Sequence, residues 1–169
     1  RQRARLARKG ERPNVFVMTA TPIPRTLALA VHGDFDISVL DELPPGRRDP
    51  RTELLPEGLC DQAWEFVREQ VAEGRQAYVV CPAIDPSEEM AAAVETFGTL
   101  AGGPLADLRL GLVHGRMDTG ERHAAMGAFR AGETDVLVAT SLIEVGVNVT
   151  NASTIVIANA ERFGLAQLH

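Results

Sequence analysis

The sequence has a single lysine among its 169 residues, Lys9, and Gly10 follows it. A phosphate-cradling P-loop needs a lysine directly before Ser or Thr, so no such loop can be drawn anywhere in these residues. The dinucleotide fingerprint G-x-G-x-x-G is absent as well. Two cysteines, Cys60 and Cys81, are too few for a disulfide scaffold. No Cys/His spacing suggests a zinc site, and the four histidines are scattered. Low cysteine use points weakly to a cytoplasmic location. No apolar run approaches the roughly 18–20 residues that span a bilayer. The basic start, Arg1-Gln2-Arg3-Ala4-Arg5, lacks the apolar stretch of a secretory signal. No paired carboxylates, Ser-His-Asp or Cys-His set can be assembled from spacing. There is no initiator Met, and His169 closes an apolar, helix-like segment. Both ends are therefore expected to be cut from something longer.

What is present reads as globular. The composition is 45% hydrophobic and 24% charged, and the length suits one ordinary domain with a core, or one plus a piece of another. The net charge of −6 is uneven. Arg1, Arg3, Arg5, Arg8, Lys9 and Arg12 stand against Glu11 alone in the first twelve positions, and the rest of the chain is strongly acidic. An acidic body argues against broad phosphate binding, although a local groove can still be basic. The basic start fits a solvated helix face as well as a nucleic-acid arm.

Residues 1–10 read as a helix stopped by Gly10. Val15-Phe16-Val17-Met18 reads as a short buried strand. Pro24 suits the first turn of a helix ending near Gly33, and Ile37–Leu40 reads as another strand. Asp41-Glu42-Leu43-Pro44-Pro45-Gly46-Arg47-Arg48 breaks any regular element, which places a linker and a lobe boundary there. Its Asp-Glu imitates a Walker B acid pair, but with no P-loop before it the acids read as the start of the linker.

After the linker the pattern is regular. Strands are expected at Thr52–Leu55, Ala77–Cys81, Leu108–Val113, Asp135–Ala139 and Thr154–Ala158. Helices are expected at Glu57–Glu73, closed by Gly74; at Ser87–Leu100, with Ser87 as N-cap; and from Asp118-Thr119-Gly120-Glu121, a capping-box pattern, to Arg130. Alternating strands and helices predict βαβ units, a parallel sheet and helices on both of its faces. No internal repeat or low-complexity stretch is visible.

Three strings carry a resemblance to a known family. Val17-Met18-Thr19-Ala20-Thr21-Pro22-Ile23-Pro24-Arg25-Thr26 resembles motif III of superfamily 2 helicases, in the form shared by RecG and the transcription-repair coupling factor. Asp41-Glu42-Leu43-Pro44-Pro45-Gly46-Arg47 resembles the linker between RecG lobes. Asp135 to His169, with Thr140-Ser141 and Glu144-Val145-Gly146-Val147-Asn148, resembles motif V and the lead-in to motif VI. Between them, Leu110–Met117 and Ala77–Asp85 are similar to two further family segments. The resemblance covers nearly the whole chain.

It implies a RecA-like α/β helicase lobe over residues 49–169, cut before motif VI. A remnant of the preceding lobe would occupy 1–48; without its own sheet, it is expected to be poorly ordered or packed non-natively in isolation. The parent would be an ATP-dependent, Mg²⁺-using double-strand DNA translocase that remodels forks and Holliday junctions in repair and recombination. The P-loop, the Mg²⁺-binding acid and the arginines of motif VI would lie outside these residues, so the chain alone is expected to be inactive and to bind DNA weakly or not at all. Thr19, Ala20 and Thr21 would couple the nucleotide and DNA sites. On the residues alone, the two threonines could simply satisfy the turn before Pro22. His114, Gly115, Arg116, Thr140 and Ser141 would contact DNA phosphates. Glu144, Gly146 and Asn148 would lie near the nucleotide cleft, with Asn148 standing where the family usually has Asp. Phe163, in Arg162-Phe163-Gly164, reads as core rather than base-stacking. Another superfamily 2 motor, such as the coupling factor, and a non-catalytic α/β binding module are the alternatives. The linker argues against the coupling factor.

Overall fold

The computed structural model describes residues 49–82, 89–140 and 149–164, together with 38 and 168. The backbone divides into two compact units, Arg1–Arg48 with His169, and Asp49–Leu168. All the elements that follow belong to the second. The motif III residues, the expected elements at 1–40, Ser87 and residues 141–148 lie outside the described residues.

Four strands form one parallel sheet: β1 (Gln76–Cys81), β2 (Leu110–Val113), β3 (Val136–Thr140) and β4 (Ala152–Ile157), in the order β2-β3-β1-β4. Three helices accompany them: α1 (Cys60–Ala72), α2 (Glu89–Ala101) and α3 (Thr119–Arg130). The two inner strands, β1 and β3, are flanked on both sides and covered on both faces. Ala77–Cys81 of β1 and Val136–Ala139 of β3 accordingly read as apolar runs, and every residue of β3 is buried. β4, with one described neighbour, alternates, and its Ile155 is exposed.

The core has two layers. Val67 of α1 and Leu100 of α2 pack with Ala77, Val79, Cys81, Val136 and Val138 on one face. Met126 and Phe129 of α3 pack with Val113, Leu137 and Ala139 on the other. Helices on both faces of a parallel sheet were the sequence expectation. Phe129 is wholly buried and its ring lies 4.9 Å from that of Tyr78.

The glycine stops after α1 and α3 hold. Gly74 (φ 82°) follows α1 and Gly132 (φ 74°) follows α3, both in the left-handed region that side chains avoid. The amide of Arg75 donates to Gln70 and that of Glu133 to Ala128, which caps the last carbonyls of each helix. At the start of α3 the capping box is complete: Glu121 N–H donates to the Asp118 carboxylate at 2.8 Å, and Asp118 N–H to Glu121 at 3.0 Å.

Some boundaries differ from expectation. Thr52–Leu55 is not a strand; the segment has no regular structure and Leu54 is 89% exposed. A strand needs a neighbour to hydrogen-bond, and this stretch between Pro50 and Pro56 finds none among the described residues. Residues 57–59 form a 3₁₀ turn (Glu57–Leu59) before α1 rather than its first turn. β2 begins at Leu110, two residues later than expected, and β4 at Ala152, two earlier.

Candidate functional site

Parallel strands bring all their carboxyl ends to one edge of the sheet, where ligands of open α/β folds gather. Cys81 stands level with Thr140, and Val113 with Ala139. That register carried one residue further brings His114 level with Thr140. On the far side, Ala158 N–H donates to Val80 O at 2.9 Å, which ties the exit of β4 to the end of β1. The edge thus runs His114, Thr140, Cys81, Ala158 across four strands.

At the β2 end the chain turns sharply into α3. Met117 N–H closes the turn on His114 O at 3.2 Å. Arg122, one turn into α3, donates to the carbonyls of Gly115 and Met117, both at 3.3 Å. With the capping box just behind it, the turn is held from the helix. Arg116 projects from it, exposed and without an ion pair among the described residues. His114 is half-buried, and its Nδ1 is enclosed with no hydrogen-bond partner. Thr140 is buried and bonded within the protein.

At the other end, a cleft of about 360 Å³ opens between α2, the end of β1 and the turn after β4. Cys81, Pro82, Ala92 and Ala158 give it an apolar floor, while Glu95, Thr96, Asn159 and Arg162 supply polar groups. Asn159 adopts a left-handed conformation (φ 51°, ψ 51°) that turns the chain into Ala160–Arg162. Asn tolerates that region better than most side chains. Burial pushes the Cys81 thiol up, only partly offset by its hydrogen bond with Thr96. A thiol held protonated is a packing group rather than a nucleophile.

Of the expected site residues, the structure therefore brings His114, Gly115, Arg116 and Thr140 together at one edge. Thr19, Ala20, Thr21, Ser141, Glu144, Gly146 and Asn148 lie outside the described residues. Phe163 is half-buried. Among the described residues no cluster of three His, Cys, Asp or Glu side chains could hold a metal. With no P-loop lysine in the sequence either, the described residues do not fit ATP-bound Mg²⁺. Sequence reasoning missed the cleft, whose walls come from segments more than 60 residues apart in the chain. The one local signal for it was Ala158-Asn159-Ala160, a turn sequence directly after an apolar strand.

Comparison with known proteins gives the family. The family model described as the helicase conserved C-terminal domain matches residues 58–169. An ATP-dependent DNA helicase RecG of Synechocystis is 50% identical over 170 residues, 99% of this chain and 20% of its own length. The RecG of Mycobacterium leprae is 48% identical over 177 residues, 96% of this chain and 24% of its own length. Among solved structures, RecG bound to a three-way DNA junction superposes with a TM-score of 0.74 at 45% identity, covering 95% of this chain and 21% of that one. The chain thus spans about a fifth to a quarter of the length of these relatives. The chain belongs to the helicase conserved C-terminal domain family, and its likeness to RecG within that family runs over nearly its whole length.

Proposed function

We propose that this chain supplies the second motor lobe, at 49–169, and the end of the first, at 1–48, of a RecG-like ATP-driven translocase. The substrate would be branched double-stranded DNA, forks and Holliday junctions among it, in repair and recombination in the bacterial cytoplasm. In that reading the lobes close on ATP and Mg²⁺ held by parts outside this chain, and closure steps the protein along DNA. Phosphoryl transfer by such motors is mostly placement of charge. What these residues contribute is contact with the track and its coupling to the cleft. Arg116 and the amide of Gly115 would hold a backbone phosphate, and Ser141 would contact one as well; phosphate contacts position a protein without reading sequence. Thr140, at the same edge, would keep the strand end in place. Glu144, Gly146 and Asn148 would face the nucleotide, and Thr19 and Thr21, flanking Ala20, would relay its state.

The observation that carries this reading is 45% identity, over nearly the whole chain, to a RecG solved on a three-way junction. The arginine on its braced turn supports it, because an exposed cation at the carboxyl edge, without an ion pair among the described residues, suits a phosphate. The test is ATP hydrolysis by this chain, and by Synechocystis RecG carrying this chain in place of its matching segment, each with and without junction DNA. The reading expects no turnover from the chain and DNA-stimulated turnover from the hybrid. Turnover by the chain alone would contradict it.

A further inference from the structure

α3 opens with a cation that the helix itself does not favour. Arg122 stands in its first turn, just after the acidic pair Asp118 and Glu121. The amino end of a helix carries the positive end of its dipole, which suits those carboxylates and opposes an arginine. Arg122 is exposed and makes no ion pair among the described residues. Its Nη2 instead turns back over the preceding turn and donates to Gly115 O and Met117 O, both at 3.3 Å. A long exposed side chain loses rotamer freedom when it is held this way. Neither helix stability nor ion pairing accounts for the residue.

The two carbonyls show where its effect falls. Gly115 O belongs to the peptide that enters Arg116. The peptide that leaves Arg116 carries the Met117 amide, which donates to His114 O at 3.2 Å. The backbone is thus fixed on both sides of Arg116, once by Arg122 and once by the closure of the turn. Met117 O belongs to the peptide that enters the cap, Asp118, so the same nitrogen ties the turn to the helix. A guanidinium beside these oxygens also offsets their partial negative charge, which would otherwise oppose an approaching anion.

We infer that Arg122 is a positioning residue for the phosphate contact of this turn. It holds the turn so that the Gly115 amide and the Arg116 guanidinium meet one phosphate, and it does not touch the DNA itself. The inference rests on the proposed contact by Arg116 and adds the residue through which that contact is set.

Three-way-junction affinity is measured against salt for Synechocystis RecG carrying this chain in place of its matching segment, as Arg116→Ala, Arg122→Ala and the double variant, with urea midpoints alongside. Arg122→Ala should weaken binding about fivefold, within the coupling of residues that share a hydrogen-bond network, and leave the midpoint unchanged or slightly raised. In the Arg116→Ala background it should weaken binding less than about twofold, because little is left to position. His123→Ala, exposed beside it on α3, should leave affinity and midpoint unchanged. The same loss in both backgrounds, with a salt slope lower by about one in each, would make Arg122 a direct phosphate contact and overturn the inference. The same loss in both backgrounds with a lowered midpoint would make it a structural brace and overturn it too. So would Arg122→Ala behaving like His123→Ala. Each of these outcomes leaves the proposed function standing. Arg116→Ala without effect on affinity would sink the inference and the proposed phosphate contact together.

Discussion

The two edges of the sheet treat polar groups in opposite ways. At the amino edge they are spent on one another. The Gln76 side chain is buried, and its Nε2 donates to Phe129 O at 2.6 Å and Thr134 O at 2.7 Å. Its Oε1 accepts from Asn151 Nδ2, which also donates to Gly74 O at 2.9 Å. Beside this knot, the guanidinium of Arg109 grips the Asp135 carboxylate through Nε and Nη2, and the Arg109 amide adds a third bond at 2.8 Å. Among the described residues, the carboxyl edge keeps an imidazole nitrogen with no hydrogen-bond partner, two exposed arginines without ion pairs and a cleft. One edge holds the sheet together, and the other is left with unspent capacity for a ligand.

That contrast can be broken by mutation. The largest expected effect on stability is at Gln76. Gln76→Ala leaves Thr134 O without its side-chain donor, while Phe129 O keeps the Gly132 amide, and should cost about 1–3 kcal/mol in urea unfolding. A loss under about 0.5 kcal/mol, the level of a neutral surface change, would mean the amino edge is not a stability device.

Asp135→Asn should come next, and its effect should depend on pH. The hydrogen bonds from Arg109 hold the Asp135 carboxyl below its usual range, against the opposing effect of burial. A carboxyl lowered in the folded state stabilises above its unfolded value of about 3.9, and that contribution is lost as pH falls through the lower folded value. The urea midpoint of Asp135→Asn should therefore lie below that of the parent at pH 7 and converge with it below about pH 4. A gap that persists undiminished in acid would assign the loss to packing instead.

Asp118→Ala removes the capping box behind the Arg116 turn. It should cost about 1 kcal/mol and raise hydrogen exchange at the Met117 amide, linking stability to the site. Exchange unchanged at Met117 would show that Arg122 alone braces the turn. Arg116→Ala should be the smallest in stability, within about 0.5 kcal/mol as for an exposed side chain, while having the largest effect on DNA.

Much of this could be read from the residues. The βαβ alternation, the apolar runs of β1 and β3, the Asp118–Glu121 box and the glycine stops are local signals, and each falls where local physics puts it. What could not be read is long-range. Gln76 looks like a polar residue ahead of a strand, and nothing nearby shows that its partners lie 53 and 58 residues away. The Arg109–Asp135 pair spans 26 residues. Thr52–Leu55 failed the other way: its composition suits a strand, but composition does not supply a partner. Motif resemblance pointed to His114–Arg116, which the structure places in the turn after β2, yet passed over the cleft, because α2 and the turn after β4 meet only once the sheet has formed.

The central claim is that the carboxyl edge works on DNA while the amino edge holds the fold. It is tested most directly by the salt dependence of three-way-junction affinity for Synechocystis RecG carrying this chain, with and without Arg116→Ala, alongside its urea midpoint. The account predicts about tenfold weaker binding, a salt slope lower by about one and an unchanged midpoint. Unchanged affinity and slope, with the midpoint also unchanged, would contradict it.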